Sequence, residues 1–147
     1  MSSNETYKGF ARFYDWYVKD FSEDLPLYLH FCSEGHSVLE VGCGSGRVLK
    51  PLAEYGCRML GVDISDEMLA IAGEKLHKYL LTNQIRLDNF NFLDVYLPEQ
   101  FDRVLVTFYT INYLLDEADC EKFLAHIRQS TAEKGLILID CFYPRPI

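Results

Sequence analysis

A chain of 147 residues, 49% hydrophobic and 24% charged, is long enough to bury one core, and no linker-like or repetitive stretch divides it. A net charge of −8 with no basic stripe lacks the electrostatic footprint of a nucleic-acid binder. No apolar run approaches the ~20 residues of a membrane span, and Met1-Ser2-Ser3-Asn4-Glu5 has no apolar leader segment, so a cytoplasmic protein without membrane contact is expected.

Residues 7–31 read as helical. Phe10, Phe13, Tyr14, Tyr17 and Phe21 recur at the three-to-four spacing of one helical face, and Pro26 is placed to open a second helix holding Leu27, Leu29 and Phe31. Val38-Leu39-Glu40-Val41 is a short strand that runs into glycines. Residues 47–55 follow as a helix stopped by Gly56, with Pro51 tolerated near the first turn. Residues 58–63 form a second strand. Ser65 caps a helix reaching about Leu81, with Asp66 and Glu67 in its first turn. Residues 85–90 are a weaker third strand and 102–108 a fourth. Residues 116–130 form an amphipathic helix, Gly135 punctuates, and residues 136–140 are a fifth strand. Strands alternating with helices specify an α/β fold, a doubly wound and mainly parallel sheet.

The five cysteines (Cys32, Cys43, Cys57, Cys120 and Cys141) fall at no CxxC spacing, so they read as reduced thiols with no metal site signalled. The glycines are more informative. A strand, a glycine-rich turn and a helix N-terminus together make a cradle in which backbone approaches a ligand and unpaired N–H groups meet an anion. A phosphate-binding P-loop needs Gly-Lys-Ser/Thr, whereas Gly46 is followed by Arg47-Val48. The dinucleotide fingerprint GxGxxG needs its third glycine where Arg47 stands; Gly42, Gly44 and Gly46 give GxGxG instead. Glu40, two residues before the first glycine, would repel a pyrophosphate and welcome a cation. Asp63 ends the second strand, where doubly wound folds place an acid that accepts from ribose hydroxyls. A ribose joined to a zwitterionic, partly cationic tail describes S-adenosylmethionine.

Glu40-Val41-Gly42-Cys43-Gly44-Ser45-Gly46 followed by Leu60-Gly61-Val62-Asp63-Ile64-Ser65 resembles the class I S-adenosylmethionine-dependent methyltransferase family, in its small-molecule type. Phe101-Asp102-Arg103-Val104 and Glu133-Lys134-Gly135-Leu136 resemble its fourth- and fifth-strand signatures. The resemblance covers roughly residues 10 to 141. It implies a Rossmann-like methyltransferase core at residues 35–147 behind a helical cap at residues 1–34, one domain in all. It also implies that Gly42, Cys43 and Gly44 lie along the methionine part of the cofactor and that Asp63 binds the ribose, with Glu40 and Gly46 among the cofactor-binding residues. Ile64 and Met68 would pack on the adenine or ribose, Asn91-Phe92-Leu93 would wall the adenine, and Thr107 and Phe108 would touch the cofactor. The family's acid for the adenine amino group is replaced here by Asn91, which still offers an oxygen.

Ala11-Arg12-Phe13-Tyr14-Asp15 resembles a segment whose tyrosine covers the methyl-donor site. Tyr14 either does this or packs in the helix core; Tyr109 and Tyr113 either face an acceptor or pack likewise. In-line methyl transfer needs alignment and exclusion of water more than acid–base chemistry, and no catalytic triad is visible. His30, His36, His77 and His126 have no partner at useful spacing, and the two on helices, His77 and His126, are expected to be solvated. The family's sheet has seven strands, with a closing hairpin after the fifth, and this sequence stops short of that hairpin. Residues 136–139 are apolar on both faces, so a partner chain or a second copy (a homodimer) is expected to cover residues 136–140. The expected function is methyl transfer to a small-molecule acceptor, leaving S-adenosylhomocysteine. The alternative is a non-catalytic S-adenosylmethionine-binding module acting through a partner.

Overall fold

The structure, a computed structural model, describes residues 8–144. At its centre is a five-stranded sheet in the order β3-β2-β1-β4-β5, in which every neighbouring pair is parallel. The strands are β1 (Ser37–Val41), β2 (Arg58–Asp63), β3 (Ile85–Asn89), β4 (Phe101–Val106) and β5 (Thr131–Ile139). The helices are α1 (Ala11–Val18), α2 (Leu25–Phe31), α3 (Leu49–Glu54), α4 (Asp66–Lys75), α5 (His77–Leu81) and α6 (Glu117–Gln129).

A parallel sheet must be covered on both faces, and alternate strand residues supply two cores. Val38, Met59, Ile85 and Leu105 pack with Tyr28, Leu49, Leu52, Ala72 and Leu76 from the helices α2 to α5. Leu39, Val41, Leu60, Val62, Val104 and Val106 pack with Phe92 and Leu97 of the β3–β4 connection and with Phe123 and Ile127 of α6. This is the doubly wound α/β arrangement expected from the alternation of elements.

The differences from expectation are local and have physical causes. The helical stretch divides into α1 and α2, with Pro26 in the first turn of α2, where a missing N–H is harmless; Tyr7 lies outside the described residues. The aromatic stripe of α1 points outward. Ala11 is small enough to bring α1 against Met68 and Ile71 of α4, with Tyr14 beside them. Phe10, Phe13 and Trp16 instead stack on one another at the surface, and Tyr17 is 72% exposed. The helix expected to reach Leu81 breaks at Leu76, which is fully buried between α4 and α5. β4 stops at Val106 because Phe108 and Tyr109 take positive φ values of 48° and 65°, which no strand accommodates.

β5 begins at Thr131, directly after α6, so Gly135 lies inside the strand rather than before it. The register jumps from Phe101 opposite Thr131 to Arg103 opposite Leu136, a bulge carried by residues 132–135. A Cβ on Gly135 would sit 2.9 Å from the Phe101 carbonyl oxygen and 3.0 Å from that of Ala132. Beyond the bulge β5 is an edge strand with Leu136 51% and Ile137 38% exposed, while Leu138 and Ile139 pack on the two cores. Among the described residues no helix is long and apolar enough to cross a membrane.

Because those two carbonyls belong to the backbone and cannot swing aside, Gly135→Ala is expected to lower stability by about 1–3 kcal/mol through overpacking. Urea unfolding measures it, and an unshifted midpoint would mean that the bulge tolerates a methyl group.

Candidate functional site

The strand order reverses at β1, so the carboxyl ends of β1 and β4 diverge and leave a crevice. Four connections meet there: the glycine loop after β1, the end of β2, residues 90–93 after β3 and the turn after β4. Tyr14 and Val18 of α1 close one side.

The three glycines of the loop have φ values of 76°, 54° and 79° and three separate spatial roles. A Cβ on Gly42 would collide with the side chain of Thr110, so its absence lets the β4 turn close on the loop. A Cβ on Gly46 would lie 2.8 Å from Leu76 Cδ1, so this glycine admits the α4–α5 junction to the core. A Cβ on Gly44 meets nothing within 4 Å, and Gly44 lines the cleft. Of the three, Gly44 is the one that leaves room for something other than protein. The loop is pinned at its start, where the Gly42 and Cys43 N–H groups both donate to the Val62 carbonyl, at 2.8 and 3.0 Å.

Two acids flank this loop, Glu40 buried and Asp63 half-buried. Asp63 accepts from the Gly44 N–H at Oδ2 (2.8 Å) and from the Ser65 N–H at Oδ1 (2.9 Å). Burial pushes its carboxyl above the usual range, and the N–H donors pull the other way. Ser65 in turn caps α4 by accepting from the Met68 N–H. Glu40 is 1% exposed; its Oε1 accepts from Thr107 Oγ1 at 2.7 Å, while its Oε2 is buried with no hydrogen-bond partner. Burial pushes the Glu40 carboxyl up to about 8, against the Thr107 bond and the charge of Arg47. Burial also raises the Cys43 thiol, so it is a neutral wall of the cleft.

The N-terminal helices are fastened over the cleft by two charged clamps. Asp15 of α1 accepts from Ser45 Oγ and from Lys75 Nζ, both at 2.6 Å, tying α1 to the glycine loop and to α4. Burial opposes its charge, but the Lys75 and Ser45 bonds hold the Asp15 carboxyl below its ordinary value. Arg47 forms a fork with Asp24 (2.8 and 2.6 Å) and donates to the Phe21 carbonyl, with side-chain exposures of only 12% and 15% for the pair. Its guanidinium lies 4.8 Å from the ring centre of Phe108 and 5.3 Å from that of Phe21. Burial raises the Tyr14 hydroxyl to about 12.

On the β3 side, Phe90, Asn91, Phe92 and Leu93 line the cleft. The Asn91 Oδ1, expected to face a ligand amino group, accepts from the Leu93 N–H at 3.1 Å and shapes that turn. Beneath it lies a correction to the sequence reading: His126 is buried, with Nδ1 2.7 Å from the Phe92 carbonyl and its ring against Tyr96. It props the wall from behind. His30 and His77 are exposed, His36 is half-buried, and no histidine lines the cleft.

On the β4 side, Thr107 meets Glu40, and Phe108 is held in its left-handed conformation by the Asp140 carboxylate, which accepts from its N–H at 3.2 Å. Phe108 lines the cleft. Tyr109 does not; it stacks on Phe108 and meets Phe142 edge-on. The cleft therefore gathers Tyr14, Glu40, Gly42, Cys43, Gly44, Asp63, Ile64, Met68, Asn91, Phe92, Leu93, Thr107 and Phe108. Gly46 and Tyr109 lie outside it. Sequence reasoning missed Ser45, Arg47, Thr110, Leu114 and Phe123, which also line it. Arg47 was weighed only as a failed glycine, and no local pattern announces its partner Asp24. The cysteines form no disulfide, and no cluster among the described residues has metal-holding geometry.

The sequence pattern of a methyltransferase domain family matches residues 38–135. A protein of Geobacillus sp. (strain WCH70) named as a methyltransferase is 31% identical over 142 residues, covering 92% of this chain and 57% of its own length. Among solved structures, a TehB-like SAM-dependent methyltransferase from Corynebacterium glutamicum superposes with a TM-score of 0.75 at 22% identity, covering 94% of this chain and 72% of that one. A Haemonchus contortus phosphoethanolamine N-methyltransferase, solved with phosphomonomethylethanolamine and S-adenosylhomocysteine, gives 0.77 at 23% identity over 93% of this chain and 34% of that one. These structural likenesses show the fold. The chain spans little more than half the length of the Geobacillus relative. With the family pattern running from β1 into β5 and enclosing the glycine loop and Asp63, this chain belongs to the methyltransferase domain family.

Proposed function

We propose that this chain binds S-adenosylmethionine in the cleft and forms the methyl-donor part of an enzyme that methylates a small molecule. The observation that carries this is the pair of acids beside the open face of Gly44. Asp63 stands at the end of β2, and Glu40 presents an unpartnered buried oxygen beside the loop. A ligand suited to both has hydroxyls at one end of the loop and a cation at the other, which fits a ribose and an amino-acid ammonium. The Haemonchus neighbour's complex with S-adenosylhomocysteine supports the same reading.

Each Asp63 oxygen retains acceptor capacity after its backbone bond, so ribose hydroxyls can share it with the loop. Ile64, Met68 and the residues 91–93 give the nucleoside apolar walls, and Phe123 closes behind them. When bound, the cofactor supplies an electrophilic methyl group on a sulfonium. The chain's own part is orientation and exclusion of water: Tyr14 and Val18 from α1 and Phe108, Thr110 and Tyr113 from the β4 turn surround the donor end. No histidine lines the cleft. The exposed edge of β5 is the surface we assign to further chain, a partner or a second copy.

Calorimetric titration with S-adenosylmethionine, S-adenosylhomocysteine and NAD tests the cofactor, and product formation with a panel of amines, hydroxyls and carboxylates separates enzyme from binder. Asp63→Ala is expected to weaken S-adenosylhomocysteine binding by about 1–3 kcal/mol, roughly ten- to hundredfold, because it removes both the ribose acceptor and the anchor of the Gly44 N–H. Gly44→Val is expected to abolish binding, because its side chain enters the space the ligand needs and a β-branched residue is strained at a φ of 54°; undiminished affinity would remove the site from this loop. Asp15→Ala frees Ser45 and Lys75 together, and the loss of a charge-assisted bond predicts about tenfold faster ligand dissociation by stopped flow. Dissociation at the wild-type rate would show that α1 does not hold the cleft shut.

A further inference from the structure

α2 lines no part of the cleft, yet it carries two polar side chains that reach two different parts of the cleft's surroundings. Asp24, at the start of the helix, forks with Arg47 beside Gly46. Tyr28, one turn further on and so on the same helix face, is 1% exposed, and its hydroxyl donates to Asp140 Oδ2 at 3.1 Å. A buried tyrosine hydroxyl needs a partner, and any acceptor would meet that need. The oxygen it uses is the informative part. The same Oδ2 accepts from the Phe108 N–H at 3.2 Å. Asp140 is half-buried just after β5, and its own N–H donates to the Val106 carbonyl at 2.8 Å.

Phe108 is the residue in this chain of bonds that needs holding. Its φ of 48° lies in the left-handed region, which a residue with a Cβ adopts only at a cost, and Tyr109 after it takes 65°. Its ring lines the cleft, with the Phe21 ring 5.5 Å away and the Arg47 guanidinium 4.8 Å from its centre. A turn relaxed to negative φ would aim that ring elsewhere. Tyr28 is a firm point from which to prevent this, because its ring belongs to the core that holds Val38, Leu49, Leu52 and Leu105. Burial, with the charges of Asp140 and Asp24, raises the Tyr28 hydroxyl well above its ordinary value, so it keeps its proton and serves as donor.

We propose that Tyr28 is a positioning residue of the cleft: through Asp140 Oδ2 its hydroxyl holds Phe108 in the left-handed conformation that makes the Phe108 ring a wall of the ligand site. Tyr28 itself touches no ligand. The proposal rests on the reading of the cleft as the cofactor site and adds a support to it from 112 positions away in sequence, measured from Tyr28 to Asp140. α2 thereby braces the site twice, at the glycine loop through Asp24 and at the β4 turn through Tyr28.

The test compares the whole chain with Tyr28→Phe, which keeps the ring in the core and removes only the hydroxyl. Amide hydrogen exchange read by NMR is expected to quicken about tenfold at Phe108 relative to the Leu39 and Val104 amides inside β1 and β4, because the turn opens locally. Calorimetric titration is expected to show about tenfold weaker binding of S-adenosylhomocysteine. Asp140→Ala should free the same amide, and adding Tyr28→Phe to it should change nothing further, since the hydroxyl acts only through that carboxylate. Equal quickening at Phe108, Leu39 and Val104 would mean that the hydroxyl serves stability alone and would overturn the proposal. An unchanged Phe108 amide, additive effects in the double variant, or a freed turn with undiminished affinity would overturn it as well. Should the wild-type chain not bind S-adenosylhomocysteine, the cofactor reading falls, while a selectively freed Phe108 amide keeps Tyr28 as the prop of the cleft wall.

Discussion

The hydrogen bond from the Gly44 N–H to Asp63 carries the pairing of β1 and β2 past the strand ends and into the loop, beyond the bonds that Gly42 and Cys43 make to Val62. Parallel strands cannot be connected by a tight turn, so the loop after β1 and the end of β2 are far apart along the chain and adjacent only in the sheet. The Asp63 carboxylate spans that junction. One oxygen holds the middle glycine of the loop, and the other holds the Ser65 N–H, the residue that caps α4. The shape of the crevice and the direction of α4 thus depend on one half-buried acid. Its neighbour Glu40 is more deeply buried and lacks a complete set of partners. The two acids divide the site: one builds it, and the other is left with capacity for a ligand.

The cover is attached by charge rather than by apolar packing. α1 touches the core through Ala11, Val18 and Tyr14, a thin contact for a helix of eight residues. Asp15 supplies what the contact lacks through Ser45 and Lys75, and the fork of Arg47 with Asp24 ties the segment after α1 to the same loop. A helix held mainly by a few polar bonds opens at lower free energy than one buried in a core. That suits a wall through which a ligand must pass. The turn after β4 is fastened in the opposite way. Two successive aromatic residues in the left-handed region cost of order 1–3 kcal/mol each, and the Asp140 carboxylate and the Gly42–Thr110 contact hold them there. The rigid turn and the lightly held helix face each other across the donor end of the cleft.

Much of the site is legible in sequence because its chemistry is local to strand ends. A glycine must stand where backbone turns or approaches closely, and an acid at the end of the second strand of such a sheet points into the crevice; both follow from period and spacing. Asn91, Phe92 and Leu93 were placed by the resemblance to the family, not by periodicity. What local pattern cannot deliver is the far partner of a polar group. Arg47 and Asp24, Asp15 and Lys75, and His126 and the Phe92 carbonyl are separated by 23, 60 and 34 positions. For that reason Arg47 reads as a misplaced glycine, and His126 as a solvated residue on an amphipathic helix.

The sequence by itself determined the alternation of strands and helices, the parallel sheet that alternation requires, the glycine loop and the acid that faces it. Those are consequences of short-range sterics and periodicity, which every residue carries with it. Only the tertiary structure decided which of three glycines leaves space for a ligand, that the aromatic stripe of α1 faces outward, that β5 begins five residues early through a bulge, and that one oxygen of Glu40 goes unserved. Each of these turns on whether a partner arrives from a distant part of the chain, and packing, not pattern, settles that.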